Sequence, residues 1–226
     1  MSTMVNLAAT AVATDSLGPG RRGVVWVQGC PLNCRGCVAP DWIPVEPNSL
    51  VTPEALATRL LAMPGIGGLT LSGGEPMLQA AGLAEVVRRV RAVRDLDTIC
   101  FTGFTLARLR RNPPAPLVEE LLAEIDVLVD GPYVAARDTG RGLRGSDNQV
   151  VNHLTDRLRE SDYNFADRPR TAELHVDERS VTLVGLPPPG LLAALDTARA
   201  RHARGSSSAP TAPDSGGHEF GSEVLG

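Results

Sequence analysis

The sequence contains no lysine; all 22 of its basic residues are arginine. Chemistry that depends on a lysine Schiff base or a phosphate-loop lysine is therefore excluded. No stretch approaches the roughly 20 apolar residues that a membrane-spanning helix needs. Charge is nearly balanced, at −4 for the whole chain. That leaves neither the basic footprint of a nucleic-acid-binding protein nor an attraction for anionic membranes. There are no internal repeats. Near the start, Ala11-Val12-Ala13 has the small residues of a cleavage site. No basic residue precedes it, however, and its apolar run is weak, so Val5 to Ala13 is expected to be a strand rather than a signal peptide. The expected location is the cytoplasm, with no nucleic-acid or membrane partner.

Cysteine is also scarce. There are four, and three of them crowd into Cys30-Pro31-Leu32-Asn33-Cys34-Arg35-Gly36-Cys37. Loops of two or three residues close disulfides badly, so the pattern points to an inorganic centre in a reducing compartment. Three thiolates leave such a centre one ligand short of a closed four-coordinate site. The fourth cysteine, Cys100, lies in an apolar run where a cysteine usually acts as a small hydrophobe. The histidines at 153, 175, 202 and 218 come late and scattered. From the residues alone, a [4Fe–4S] cluster with one open iron and a structural zinc site are both readings, and the missing fourth ligand favours the cluster.

At 226 residues, 42% of them hydrophobic, the chain can bury one main core and carry an appendage. Gly23 to Gln28 reads as a buried strand that leads into the cysteine loop. Thr52-Pro53-Glu54 starts a helix that runs to about Met63. Gly68 to Ser72 is a strand ending in Gly73-Gly74-Glu75-Pro76. A helix over Met77 to Val93 carries Leu78, Leu83, Val86, Val87, Val90 and Val93 on one face. Thr98 to Phe101 is a strand, followed by a helix with Leu106 and Leu109 that breaks at Pro113-Pro114. A helix over Pro116 to Glu124 and a strand over Asp126 to Val129 follow. The repeated strand, loop and helix predict an α/β fold with parallel strands, either a sheet or a partial barrel. All the motif loops would then meet at one rim. Asn148 to Leu154 is a further strand, and 155–169 is charged and irregular. A hairpin forms around Asp177-Glu178-Arg179, and Leu191 to His202 is a helix. From about Gly205 the composition predicts disorder. The chain thus divides into a core over 1–154, an extension of hairpin plus helix over 155–204, and a disordered tail over 205–226.

The spacing Cys-x3-Cys-x2-Cys followed by Ser72-Gly73-Gly74-Glu75-Pro76 resembles the radical S-adenosylmethionine superfamily. The chain is most similar to the branch that holds anaerobic ribonucleotide reductase activators and other glycyl radical enzyme activases. Gly18-Pro19-Gly20, Gly36, Trp42, Thr102-Gly103-Phe104, Val127-Leu128-Val129-Asp130-Gly131 and Arg144 to Val151 carry that similarity, from roughly Val5 to Leu154. It implies a compact partial (β/α) barrel. It implies a [4Fe–4S] cluster on Cys30, Cys34 and Cys37, with S-adenosylmethionine on the open iron. One-electron cleavage would give a 5′-deoxyadenosyl radical that takes a hydrogen atom from a glycine of a partner. That partner would be a glycyl radical enzyme, with anaerobic ribonucleotide reductase a candidate. Electrons would come from a flavodoxin- or ferredoxin-type donor.

By position, Gly36, Cys37 and Val38 would lie against the cofactor, and Ser72, Gly73, Gly74 and Glu75 would receive its methionine end. Asp130 is a candidate for its polar end or a nearby cation, or else a strand-end turn residue. Arg144 is a candidate for its carboxylate, or else a surface ion pair. Val38-Ala39 and Pro132 depart from what the reductase activators tend to have, which leaves the target open. The same motifs admit a radical enzyme acting on a small molecule or peptide. A non-catalytic iron–sulfur or zinc protein would require a fourth ligand.

Overall fold

The computed structural model describes residues 4–9, 12–176, 180–206 and 221–225. Its centre is one mixed sheet. In chain order the strands are β1 (Val5–Ala9), β2 (Ala13–Thr14), β3 (Arg22–Val27), β4 (Ser49–Val51), β5 (Gly68–Gly73), β6 (Asp97–Thr102), β7 (Val127–Asp130) and β8 (Val150–His153). Across the sheet they run β4-β1-β3-β5-β6-β7-β8, and β2 pairs with β3 outside this path. β3, β5, β6 and β7 are mutually parallel, while β1, β2, β4 and β8 pair antiparallel. The expected first strand is divided into β1 and β2. β4 was not expected from its sequence, because the prolines before it read as loop.

Helices α1 (Pro53–Leu61), α2 (Ala80–Arg91), α3 (Leu106–Arg111) and α4 (Val118–Ala123) link the parallel strands. They pack on one face of the sheet. Alternation along the strands selects that face: Val25, Val27, Leu69, Leu71, Cys100 and Leu128 meet Leu56, Leu60, Leu83, Val86, Val87, Val90, Leu109 and Leu121. α1 begins as expected, with Thr52 Oγ1 accepting from the Ala55 N–H at 3.1 Å and Pro53 in the first turn. α2 is shorter than expected. Pro76 to Gln79 form a separate 3-10 turn, and the helix stops at Arg91. Val93, placed by periodicity on the apolar face, lies beyond the helix and is 73% exposed.

The other strand face mixes apolar side chains with buried polar ones, Arg22, Thr70 and Ser72 alternating toward it. Val24 and Trp26 pack with Leu17, Trp42 and Val184, and Ile99 and Val127 pack with Leu143, Leu158 and Phe165. Residues from beyond β8 therefore complete this second layer. The irregular segment 155–169 contributes Leu158 and Phe165. A second sheet follows, with β9 (Ala172–Val176) antiparallel to β10 (Ser180–Gly185) as the hairpin reading expected; the turn residues 177–179 fall outside the described residues. Glu173 on β9 ties the hairpin to the start of the chain. Its Oε1 accepts from Thr14 Oγ1, Ser16 Oγ and the Asp15 N–H at 2.6–2.7 Å. These donors and His175 hold its carboxyl at about 2, against the opposing effect of burial.

The expectation of disorder from 205 onward needs correction where the chain is described. Helix α5 (Leu191–Ser206) runs past Gly205, and β11 (Gly221–Leu225) pairs parallel with β10. The strand was missed because Gly, Ser and Pro dominate the composition around it. Residues 207–220 and 226 lie outside the described residues.

At the base of the sheet, Arg22 is fully buried. Its guanidinium donates to Asp97 Oδ1 at 2.5 Å and to the Leu69 carbonyl at 2.6 Å, and its Nε donates to Thr70 Oγ1 at 2.7 Å. Asp97→Ala would leave that cation without a counter-ion. We expect it to lower unfolding stability by about 3 kcal/mol in urea titration, the scale for breaking a buried pair from one side.

Candidate functional site

β3 ends at Val27, and the chain turns through Gln28 and Gly29 into the cysteine loop. The loop is closed at its base, where Gly29 N–H donates to Trp42 O at 2.9 Å and Cys30 N–H to Ile43 O at 3.0 Å. Gln28 Nε2 donates to Pro44 O at 2.9 Å. Within it, Asn33 and Gly36 take positive φ (45° and 78°), and Cys37 N–H donates to Cys34 O at 3.1 Å. The three cysteines are free thiols and half-buried. Burial pushes the Cys30 and Cys37 thiols up, while backbone donors point at the sulfurs and act the other way: Leu32 and Asn33 at Cys30, Ala39 at Cys37. Such thiols become thiolates when a positive centre supplies the charge.

Among the described residues, no group of three His, Cys, Asp or Glu side chains could hold a metal ion. A single ion needs every sulfur about 2.3 Å from one point. A cluster spreads its thiolates over separate irons, and soft thiolates with N–H donors to sulfur suit it. The donor set of the loop, three thiols with N–H donors aimed at two of them, is one that an iron–sulfur cluster accepts.

The end of β5 passes directly beneath this loop. Gly74 N–H donates to Val27 O at 2.7 Å and Glu75 N–H to Gly29 O at 2.9 Å. A Cβ on Gly73 (φ 102°) would lie 2.4 Å from Val27 N, and one on Gly74 would lie 2.4 Å from Gly29 O. The two glycines are thus required by the protein's own backbone, whatever ligand they also admit. Glu75 then reaches across to the end of β6. Its carboxylate accepts from Thr102 Oγ1 at 2.8 Å, Gly103 N–H at 2.9 Å and Met77 N–H at 3.0 Å. It is fully buried. Burial is the main cause that pushes its carboxyl up to about 7, partly offset by those three donors. A Cβ on Gly103 would come within 2.1 Å of Leu32 Cδ1, so β6 also supports the cysteine loop directly.

The structure brings Cys30, Cys34, Gly36, Cys37, Gly73, Gly74 and Glu75 to one rim. Ser72 is buried within β5, in register with Trp26 of β3. Val38 packs against the cluster around Trp26 and Trp42, whose rings lie 6.2 Å apart. Asp130 is buried at the end of β7, and its Oδ2 accepts the Leu106 N–H at 2.5 Å at the start of α3. Arg144 donates weakly to Asp147 O and Gln149 O at 3.3–3.4 Å, and its Nε is buried without a partner. Among the described residues it makes no ion pair.

Tyr133 was missed. Its ring lies 3.7 Å from where a Cβ on Gly36 would stand. Its place just after the Asp130-Gly131-Pro132 strand end was the available signal. Gln79 was missed too. It bridges β1 and the loop base, donating to Asn6 O and Gln28 O and accepting from the Asn6 N–H.

The family model described as a 4Fe-4S single cluster domain matches residues 16–152. The anaerobic ribonucleoside-triphosphate reductase-activating protein of Vibrio cholerae is 36% identical over 151 residues, covering 61% of this chain and 91% of that protein. The protein of the same name from Enterobacteria phage T4 is 32% identical over 145 residues, covering 62% and 88%. The pyruvate formate-lyase-activating enzyme of Staphylococcus epidermidis is 37% identical over 81 residues, covering 33% and 32%. The chain belongs to the 4Fe-4S single cluster domain family, in the radical S-adenosylmethionine activase branch that its motifs resemble.

Because the Glu75 carboxyl titrates near 7 in the folded chain and near 4.5 when exposed, the folded state holds its proton over that interval. Its contribution is full below about 4.5 and is lost as pH rises to about 7. We expect Glu75→Gln to remove this dependence. The difference in unfolding free energy, variant minus wild type, should rise by about 3 kcal/mol between pH 4.5 and 7.5. A flat difference in urea titrations across that range would count against the assignment. Gly103→Val should displace Leu32 and with it the cysteine loop, lowering iron uptake on reconstitution while leaving far-ultraviolet circular dichroism unchanged.

Proposed function

We propose that Cys30, Cys34 and Cys37 hold a [4Fe–4S] cluster whose remaining iron receives S-adenosylmethionine, and that the protein activates a glycyl radical enzyme. One observation carries this reading: a three-cysteine loop is fastened by backbone hydrogen bonds to the end of β5 and by the Leu32 side chain to the end of β6, and no fourth ligand is in sight among the described residues. Cys100 is sealed in the core beneath the helices, and His153 and His175 lie on β8 and β9. Membership in a 4Fe-4S family of radical activases supplies the cofactor pair.

In this reading the three thiolates bind the cluster. The N–H groups of Leu32, Asn33 and Ala39 stabilise their charge. The main chain at Gly73-Gly74, held against Val27 and Gly29, is the candidate to receive an amino-acid ammonium and carboxylate. Arg144, with its unpartnered Nε and no carboxylate of its own, is suited to the carboxylate. Val38 and the Trp26–Trp42 cluster keep one side of the loop dry. Loaded with both groups, the site would supply reductive cleavage of the sulfonium to a 5′-deoxyadenosyl radical, which takes a hydrogen atom from the partner's glycine.

The relatives' names make anaerobic ribonucleotide reductase the first partner to test, with pyruvate formate-lyase the second. A flavodoxin- or ferredoxin-type protein would supply the electron, and a reducing cytoplasm suits the free thiols. We read the sheet as the partial barrel of this family, with 1–154 as its core and 155–204 as an extension seated on it. Among the described residues, no helix is long and apolar enough to cross a membrane.

The test is anaerobic reconstitution with iron and sulfide, reduction, and assay of 5′-deoxyadenosine from adenosylmethionine. Wild type should produce it, and Cys34→Ala should fall to background. Wild type that carries the full iron complement and produces none would contradict the reading.

A further inference from the structure

We propose that Arg170, which lies outside the segment matched by the family model, is a positioning residue for the cofactor-side loop over 133–149. Its side chain is 3% exposed and sits on the irregular stretch before β9. The guanidinium grips three oxygens of one loop. Nη1 pairs with Asp138 Oδ1 at 2.9 Å, and Nη2 donates to Arg144 O at 2.6 Å and Gly145 O at 2.8 Å. A planar fork can hold a carboxylate and two successive carbonyls together; an ammonium cannot span them in the same way.

Two routes lead from this grip to the site. The first is direct, since Arg170 fixes the main chain of Arg144, the residue suited to the cofactor carboxylate. The second passes through Asp138, whose Oδ2 accepts from Tyr133 Oη at 3.3 Å. The Tyr133 ring is clasped between the cysteine loop and this same loop. A Cβ on Gly36 would lie 3.7 Å from Tyr133 Cε1, and one on Gly145 would lie 2.9 Å from Tyr133 Cδ2. Gln149 completes the frame, accepting from Gly145 and Ser146 N–H and donating to Gly131 O. Release of Arg170 would free Gly145, then Tyr133, then the wall against Gly36. The segment beyond β8 is thereby part of the site's support as well as a cover for the sheet.

This inference rests on the activase reading for its consequence, but not for its structural half. Arg170→Ala and Arg170→Lys are compared with wild type and with Arg157→Ala, which removes an ion pair to Asp95 at the opposite end of the sheet. In the full chain without cluster, amide exchange of the peptide 133–149 should be about tenfold faster in both Arg170 variants. In reconstituted protein, KM for adenosylmethionine should rise about tenfold with kcat within a factor of about three. The adenosylmethionine concentration that changes the electron paramagnetic resonance signal of the reduced cluster should rise in step. Arg157→Ala should match wild type in each. If Arg170→Ala does not fold, Arg170→Lys decides, since it keeps the charge beside Asp138 and loses only the two-carbonyl grip. Unchanged exchange, or unchanged KM with faster exchange, overturns the proposal. Wild type that takes up no cluster overturns the activase reading instead, while the exchange result still decides whether Arg170 holds the loop.

Discussion

At the carboxyl ends of the parallel strands, main chain lies on main chain. The β5 turn passes so close under Val27 and Gly29 that a methyl group at 73 or 74 would stand 2.4 Å from a backbone atom. A methyl group at 103 would meet Leu32 at 2.1 Å. Three glycines therefore let three strand ends converge, and the cysteine loop rests on what they form. Glu75 fastens the arrangement from below, accepting from Thr102 Oγ1 and Gly103 N–H at the end of β6 and from its own neighbour Met77 N–H. A buried carboxylate is costly unless its donors are all in place. That cost makes the strap specific, because a shifted β6 would leave Glu75 only the Met77 N–H.

The sheet places this rim by being buried on both faces. Helices cover one face. The other is covered by the Trp26–Trp42 cluster and by residues from beyond β8, among them Leu158, Phe165 and Val184. Among the contacts that hold the extension, two are of opposite charge. Glu173 is inserted among the donors of Thr14, Asp15 and Ser16, and Arg170 among the oxygens of Asp138, Arg144 and Gly145. The first secures the hairpin to the start of the chain. The second connects the extension to the loops above the sheet. A segment that covers an otherwise exposed face is thus in a position to influence the site.

Much of this was legible in the sequence because it is local. Short apolar runs ending in glycine motifs gave β3, β5, β6 and β7, and the order of the motifs gave the rim. Thr52-Pro53 marked the start of α1. What was not legible depends on distant partners. Asp130 has the same strand-end position whether it faces a cofactor or caps α3, and only the fold shows its carboxylate on Leu106. Gly73 and Gly74 read as room for a ligand, although the first demand on them is the passage under β3. Arg170 sits in a charged, irregular stretch that carries no periodic signal, and its partners are about 25 or more residues away. Val93 fitted the helical period but falls after the chain has left the helix.

The proposed activity requires that three cysteines hold a cluster that keeps one iron for adenosylmethionine. Mössbauer spectra of protein reconstituted with iron-57, recorded with and without adenosylmethionine, test it most directly. The expected result is a four-iron cluster in which one iron alone changes its spectrum when adenosylmethionine is added. A cluster whose four irons are all indifferent to adenosylmethionine, or a single mononuclear site, would contradict it.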